Sequence, residues 1–179
     1  MHIALTGTPG TGKTTVAHLL PYRVIDINAL VRSGLNLGTD PVRGCLEADM
    51  DGLAEHLAEM DSGEISILEG HYSHHFAPWS IVLRLSPREL EPRLENRGYL
   101  PEKIRENLEA EALDVILVEA VELSDRVDEI DTTGRSPQEV ADLVVEIIQG
   151  KRAMPPGQVE WLTDFLGRSM LPQSRGLKR

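Results

Sequence analysis

Aromatic side chains are scarce in this chain, at 4% of 179 residues. A core built on stacked rings is therefore excluded, and the 41% of hydrophobic residues must pack mainly as aliphatics. Cysteine occurs once, as Cys45, so no internal disulfide can form, and a reducing, cytoplasmic setting is expected. No apolar run approaches the roughly 20 residues needed to cross a bilayer. Met1-His2-Ile3 carries no basic segment and leads directly into an apolar run, so no secretory signal is expected. Positive charge is also in deficit, with a formal net charge of -11. The deficit is uneven. Residues 151–179 hold six Lys and Arg against two Asp and Glu, which leaves -15 on the remainder. A body this acidic repels bare nucleic acid, whereas the C-terminal extension does not.

Short apolar runs alternate with helical periodicity. Ile3-Ala4-Leu5 reads as a buried strand ending in a glycine-rich turn. A helix is expected over Thr14–Leu20, closed by Pro21, and a second strand over Val24–Ile27. Asp26 and Asn28 at its end fit a helix cap or a ligand contact equally well. Residues 34–44, with Gly34, Gly38, Pro41 and Gly44, read as loop. A helix over about 46–60 is expected to align Leu46, Leu53 and Leu57. Further strands are expected at 65–68, 81–85 and 127–131. Ser86-Pro87 and Ser136-Pro137 are capped helix starts. One long helix over 101–125 is expected to align Ile104, Leu108, Ala112, Val115 and Val118. This alternation predicts an α/β fold with a parallel sheet of about five strands flanked by helices.

Gly7-Thr8-Pro9-Gly10-Thr11-Gly12-Lys13-Thr14 matches the phosphate-loop pattern G-x-x-x-x-G-K-[ST] in full, between a strand and a helix as the chemistry requires. Backbone N–H groups can wrap a phosphate only where side chains do not obstruct them, and Gly7, Gly10 and Gly12 supply the room. Lys13 offers a point charge to the β- and γ-phosphates, and the Thr14 hydroxyl a ligand for Mg²⁺. The sequence has no N-K-x-D that would read guanine, and it is short for a large ATPase core. A small nucleotide or metabolite kinase remains. Glu69, at the expected end of the third strand, stands where a metal-directing carboxylate belongs. Arg93 and Arg97, on adjacent turns before Gly98, can clamp a phosphoryl group, although Arg93 could equally pair along its own helix. His71 reads as a polar group near the γ-phosphate. His74 and His75 read as surface loop, their spacing matching no metal-ligand pattern. Thr132-Thr133-Gly134-Arg135 fits an adenine contact or a plain connecting turn.

Taken together, the motif Thr6–Thr15, the acid-x-His of Glu69-Gly70-His71, Trp79, and Arg93-Leu94-Glu95-Asn96-Arg97-Gly98-Tyr99 resemble the adenylate kinase isoenzyme 6 family over about residues 2–149. These are small kinases linked to maturation of the small ribosomal subunit. The resemblance is to a prokaryotic- or archaeal-type member, and it implies a P-loop NTPase fold and a kinase that uses ATP and Mg²⁺ on AMP or a related monophosphate, with ATPase activity. A small-subunit ribosomal protein and pre-rRNA are the implied partners. It implies a kinase domain over 1–150; nothing in the family pattern matches residues 151–179, which read from their charge as a basic C-terminal extension. Triphosphate contacts fall at Gly10, Thr11, Gly12, Lys13, Thr14 and Thr15, a monophosphate segment at about 28–51 that includes Asn28, with Asp26 just before it, and a lid at about 96–106 that brings Arg97 to ATP. Where the family usually has Asp, this chain has Glu69, whose extra methylene still permits contact with Mg²⁺ through a water.

Overall fold

The strand β1 (His2–Thr6) is buried along its whole length. In the computed structural model, which describes residues 1–40 and 46–169, it forms the centre of a sheet of order β2-β5-β1-β6-β7. The other strands are β2 (Arg23–Asp26), β5 (Ser66–Glu69), β6 (Trp79–Arg84) and β7 (Arg126–Asp131), and every pairing is parallel. The strands alternate between two aliphatic layers, as period-two geometry demands. Ile3, Leu5, Ile67, Ile81 and Leu83 pack with α1 (Lys13–Ala17) and α7 (Pro137–Ile148). On the opposite face, Ala4 and Leu68 meet α2 (Ile27–Ser33) and α3 (Met50–Met60), while Val82 meets α6 (Val115–Leu123).

Several local expectations need correction. α1 stops at Ala17, and the bonds Leu19 N to Val16 O and Leu20 N to Ala17 O tighten the chain ahead of Pro21, which disfavours helix in the residue before it. Ile27 opens α2 and does not extend β2. Residues 36–39 are not loop: β3 (Asn36–Thr39) pairs antiparallel with β4 (Leu46–Ala48) in a separate two-stranded sheet. Leu46 therefore lies in an exposed strand, and only Leu53 and Leu57 are buried from α3. The exposed strand β3 lacks the apolar alternation that would have marked it. Cys45 lies outside the described residues.

The expected helix 101–125 is two helices, α5 (Pro101–Ala112) and α6, broken at Asp114 with φ 58°. Asp tolerates this left-handed conformation better than most residues. The break has a buried cause. Arg84, at the end of β6, donates to the Glu111 carbonyl at 2.9 Å and also to the Asp114 carboxylate. The change of direction turns Leu117 and Ala120 inward and leaves Val115 and Val118 on the surface.

α4 (Pro87–Asn96) and α5 enclose a small separate core of Leu85, Leu90, Leu94, Ile104 and Leu108. Phe165 of α8 (Leu162–Ser169) packs against it. The extension thus lies on the body over 151–169. The Glu129 amide donates to the Met154 carbonyl at 2.7 Å, and the Gly157 and Gln158 amides donate to Glu129 Oε2. Arg175, Lys178 and Arg179 lie outside the described residues.

Candidate active site

The phosphate loop leaves β1 at the C-terminal edge of the sheet, beside the end of β5. Register sets Leu5 against Glu69, and Asp26 of β2 against Glu69 from the other side. The loop tolerates no side chain at its tightest points. A Cβ on Gly7 would lie 2.3 Å from the Leu83 carbonyl oxygen, and one on Gly10 would lie 2.6 Å from a Leu90 methyl, with both residues at positive φ. The Thr11 hydroxyl donates to the Thr8 carbonyl at 3.0 Å and braces the turn.

Lys13 is buried, and its ammonium donates to the carbonyls of Gly7 at 2.8 Å and Thr8 at 3.1 Å. Burial pushes its pKa down to about 8, against the opposing pull of Glu69 and Glu111. The Thr14 hydroxyl donates to Glu69 Oε1 at 3.1 Å. Burial raises the Glu69 pKa, while Lys13 and the Thr14 hydroxyl act the other way. Thr14 and Glu69 thus present two hard oxygen donors at the loop mouth, a donor set that suits Mg²⁺. Thr15 is exposed on α1.

Two cavities meet here. One, of 290 Å³, is lined by Gly10, Gly12, Lys13, Thr14, Glu69, His71 and Arg97. The other, of 710 Å³, extends past Asn28, Val31 and Ala48 to Tyr99, Lys103 and Asn107. Pro9, Asn28, Arg32, His71 and Tyr99 line both. Of the residues singled out from sequence, the structure gathers Gly10, Gly12, Lys13, Thr14, Glu69, His71, Asn28 and Arg97 around one cleft. Arg97 sits in the turn 97–100 between α4 and α5, so only the first part of the expected lid segment is turn and the rest is α5. Arg93 donates to the Gly10 carbonyl at 3.4 Å, which sets its guanidinium beside the phosphate loop, and it also pairs with Glu89 along its own helix. Burial pushes the His71 pKa to about 4, with Lys13 adding to the effect, so the ring is neutral at ordinary pH.

Asp26 is a helix cap: its carboxylate accepts from the Ala29 amide at 2.9 Å and pairs with Arg32 at 3.4 Å. Arg135 is exposed and donates to the Asp131 carbonyl, closing the turn after β7. His74 is not surface loop but fully buried. Sequence reasoning missed Arg32 and Lys103, two cations on the cleft, since nothing in their spacing sets them apart from solvated helix faces. It also missed Glu111, a buried carboxylate that accepts from the Thr8 hydroxyl and from Arg84. Burial disfavours the Arg84 charge, but Glu111 and Asp114 together hold its pKa above the ordinary value. The alternating Glu of α5 gave no sign that one of them faced inward.

The family model described as an AAA domain matches residues 3–114. A Methanothermobacter thermautotrophicus protein named "Putative adenylate kinase" is 52% identical over 172 residues, covering 92% of this chain and 99% of the relative. A protein of the same name from Pyrococcus furiosus is 42% identical over 164 residues, covering 90% and 91%. Among solved structures, shikimate kinase from Acinetobacter baumannii is similar at a TM-score of 0.59 and 17% identity, covering 84% of this chain and 94% of that one. Thymidylate kinase from Candida albicans is similar at a TM-score of 0.52 and 13% identity, covering 84% and 91%. At such identities the two structures speak to fold alone, an α/β P-loop fold. The match to the domain model and the identity to full-length archaeal relatives place this chain in the adenylate kinase-like family of P-loop proteins.

Proposed function

We propose that this protein is a nucleoside monophosphate kinase that transfers the γ-phosphoryl group of Mg-ATP to AMP or a related monophosphate. The supporting observation is the junction of the two cavities, one under the phosphate loop and one along α2, β4 and α5. A donor in the first and an acceptor in the second would face each other at His71 and Asn28. Positioning of this kind, with charge neutralisation, is most of what phosphoryl transfer asks of a protein.

On this reading the loop amides from Gly10 to Thr15 hold the triphosphate. Lys13 leaves its own loop carbonyls for the β- and γ-oxygens, exchanging two neutral acceptors for anionic ones. The Thr14 hydroxyl and Glu69, directly or through a water, would hold Mg²⁺, which would supply further neutralisation of the triphosphate. Arg97, with Arg93 behind it, faces the transferring group and offsets charge on its equatorial oxygens. Neutral His71 donates or accepts a hydrogen bond there and adds no charge. Arg32, Lys103 and Asn28 receive the monophosphate, and Asp26 holds α2 in place as its cap. Adenine packs near the turn 132–134, with Arg135 at its margin.

The archaeal relatives' name is one support for an adenine nucleotide acceptor. The test is ADP formation from Mg-ATP with AMP, GMP, CMP, UMP, dTMP or shikimate, by wild type and Lys13→Ala. Stimulation by a nucleoside monophosphate that vanishes in a folded Lys13→Ala protein is expected. Turnover that ignores every monophosphate would overturn the assignment.

A second reading keeps the same site as an ATPase that drives small-subunit ribosome maturation, with ribosomal protein and pre-rRNA as partners. It draws on the basic residues beyond 169. The backbone of Met154, Gly157 and Gln158 is already engaged by β7, so this part of the extension lies on the body and does not project from it.

A further inference from the structure

His74 lies in the 3₁₀ turn Ser73–Phe76, which packs on β1 and α6. Its side chain is 0% exposed. Nδ1 is 3.1 Å from the Thr6 hydroxyl, and Nε2 points at Glu119 Oε2 of α6 at 3.3 Å. The next residue, His75, is exposed, and its ring centroid lies 4.5 Å from that of His74. One ligand atom from each of His74, His75 and Glu119 lies within 4.8 Å of the others.

The 3.3 Å separation is informative. Ligand bonds of about 2.0–2.2 Å at a tetrahedral angle hold two donor atoms about 3.3–3.6 Å apart, a range that includes the Nε2–Oε2 separation. The Thr6 hydroxyl on Nδ1 is the kind of outer contact that fixes an imidazole with its other nitrogen toward a metal.

We propose that His74 Nε2, His75 and Glu119 form a divalent metal site of the zinc class, separate from the nucleotide cleft. Two imidazoles and one carboxylate suit Zn²⁺ better than Mg²⁺. Glu119 is 45% exposed, so the ion keeps an open position for water or another ligand. His75 is exposed and its ligand atom already lies within 4.8 Å of the other two, so a small movement of its side chain completes the set. Spacing along the chain hid the site, because the carboxylate comes 45 residues after His74 on a different helix. An ion held here would staple α6 to the turn that follows β5.

The experiment uses the full chain, stripped with a chelator and kept in excess Mg²⁺ to occupy oxygen ligands at the phosphate loop. Zn²⁺ is titrated calorimetrically, and Co²⁺ is followed by its visible absorption. The variants His75→Ala and Glu119→Gln change exposed or half-exposed side chains, and circular dichroism checks their folding. One ion per wild-type chain, a four-coordinate Co²⁺ spectrum, and affinity at least about tenfold weaker in each variant are expected. Absence of stoichiometric binding by wild type, or equal affinity in wild type and either variant, would reduce the contact to a long hydrogen bond and overturn the proposal.

Discussion

Arg84 and Glu129 form a 2.7 Å salt bridge in which neither side chain is more than 2% exposed. Around it runs a chain of polar contacts from the phosphate loop to the C-terminal extension. Thr8 donates to Glu111, Arg84 binds Glu111 and Glu129, and the second oxygen of Glu129 takes the amides of Gly157 and Gln158. Removing Glu129 leaves Arg84 paired with Glu111 and Asp114, but it takes one acceptor from the buried guanidinium and strips the Gly157 and Gln158 amides of theirs, each loss costing about 1–3 kcal/mol. Glu129→Ala should lose stability on that scale in urea unfolding, and Glu129→Gln less, because it can still accept hydrogen bonds. A midpoint unchanged in Glu129→Ala would mean that the network relaxes around water.

Truncation after Gly150 should likewise destabilise the fold. It strips Glu129 of two amide donors, Asp128 of the Met154 amide, and the core between α4 and α5 of Phe165. Thermal unfolding of the shortened chain should begin well below that of the full chain. An identical melting curve would show the segment to be idle.

The basic balance of 151–179 suggests an appendage, while its one amphipathic stretch (Val159, Leu162, Phe165, Leu166) fits a last packed helix equally well, and α8 with Phe165 bears out the latter; the backbone contacts of 154–158 were illegible because their acceptors on β7 are charged residues that look solvent-facing. The same limit explains the other misses. Where local chemistry dictates geometry, as in Gly7–Thr14, the capped starts at Ser86 and Ser136, and the apolar strands, position and role could be read directly. The break at Asp114 could not, since its cause, Arg84, lies 30 residues away in the chain. Nor could the inward turn of Glu111 or the burial of His74, both set by partners on distant elements. Asp26 showed two possibilities in the sequence, and the Ala29 amide bears out the cap.

Arg97→Ala should lower kcat by on the order of 10³, the scale at which arginines stabilise a transferring phosphoryl group. The residue lies in the turn beside the loop cavity and is exposed, so folding should survive. ATP affinity should change much less. If KM alone moves, Arg97 contacts ATP only in the ground state.

Lys13 gives a pH signature. Its pKa of about 8 lies below the ordinary lysine value, so part of the free protein lacks this proton above pH 8. A bound polyphosphate favours the charged form and raises the pKa. ATP binding at pH 8.5–9 should therefore take up protons, up to about one per site, and uptake from this group should fade below pH 7. Calorimetry in buffers of different ionisation enthalpy measures the uptake. Its persistence in Lys13→Ala would assign the proton elsewhere.

The central claim is transfer to a nucleoside monophosphate, and the most direct measurement follows the phosphoryl group itself. ATP labelled at the γ-phosphate is incubated with Mg²⁺, AMP and the full-length protein, and the products are separated. The account predicts label in the β-position of ADP formed from AMP, and none of this transfer in Lys13→Ala. Label recovered only as inorganic phosphate, at a rate indifferent to AMP and to every other monophosphate tried, would contradict it.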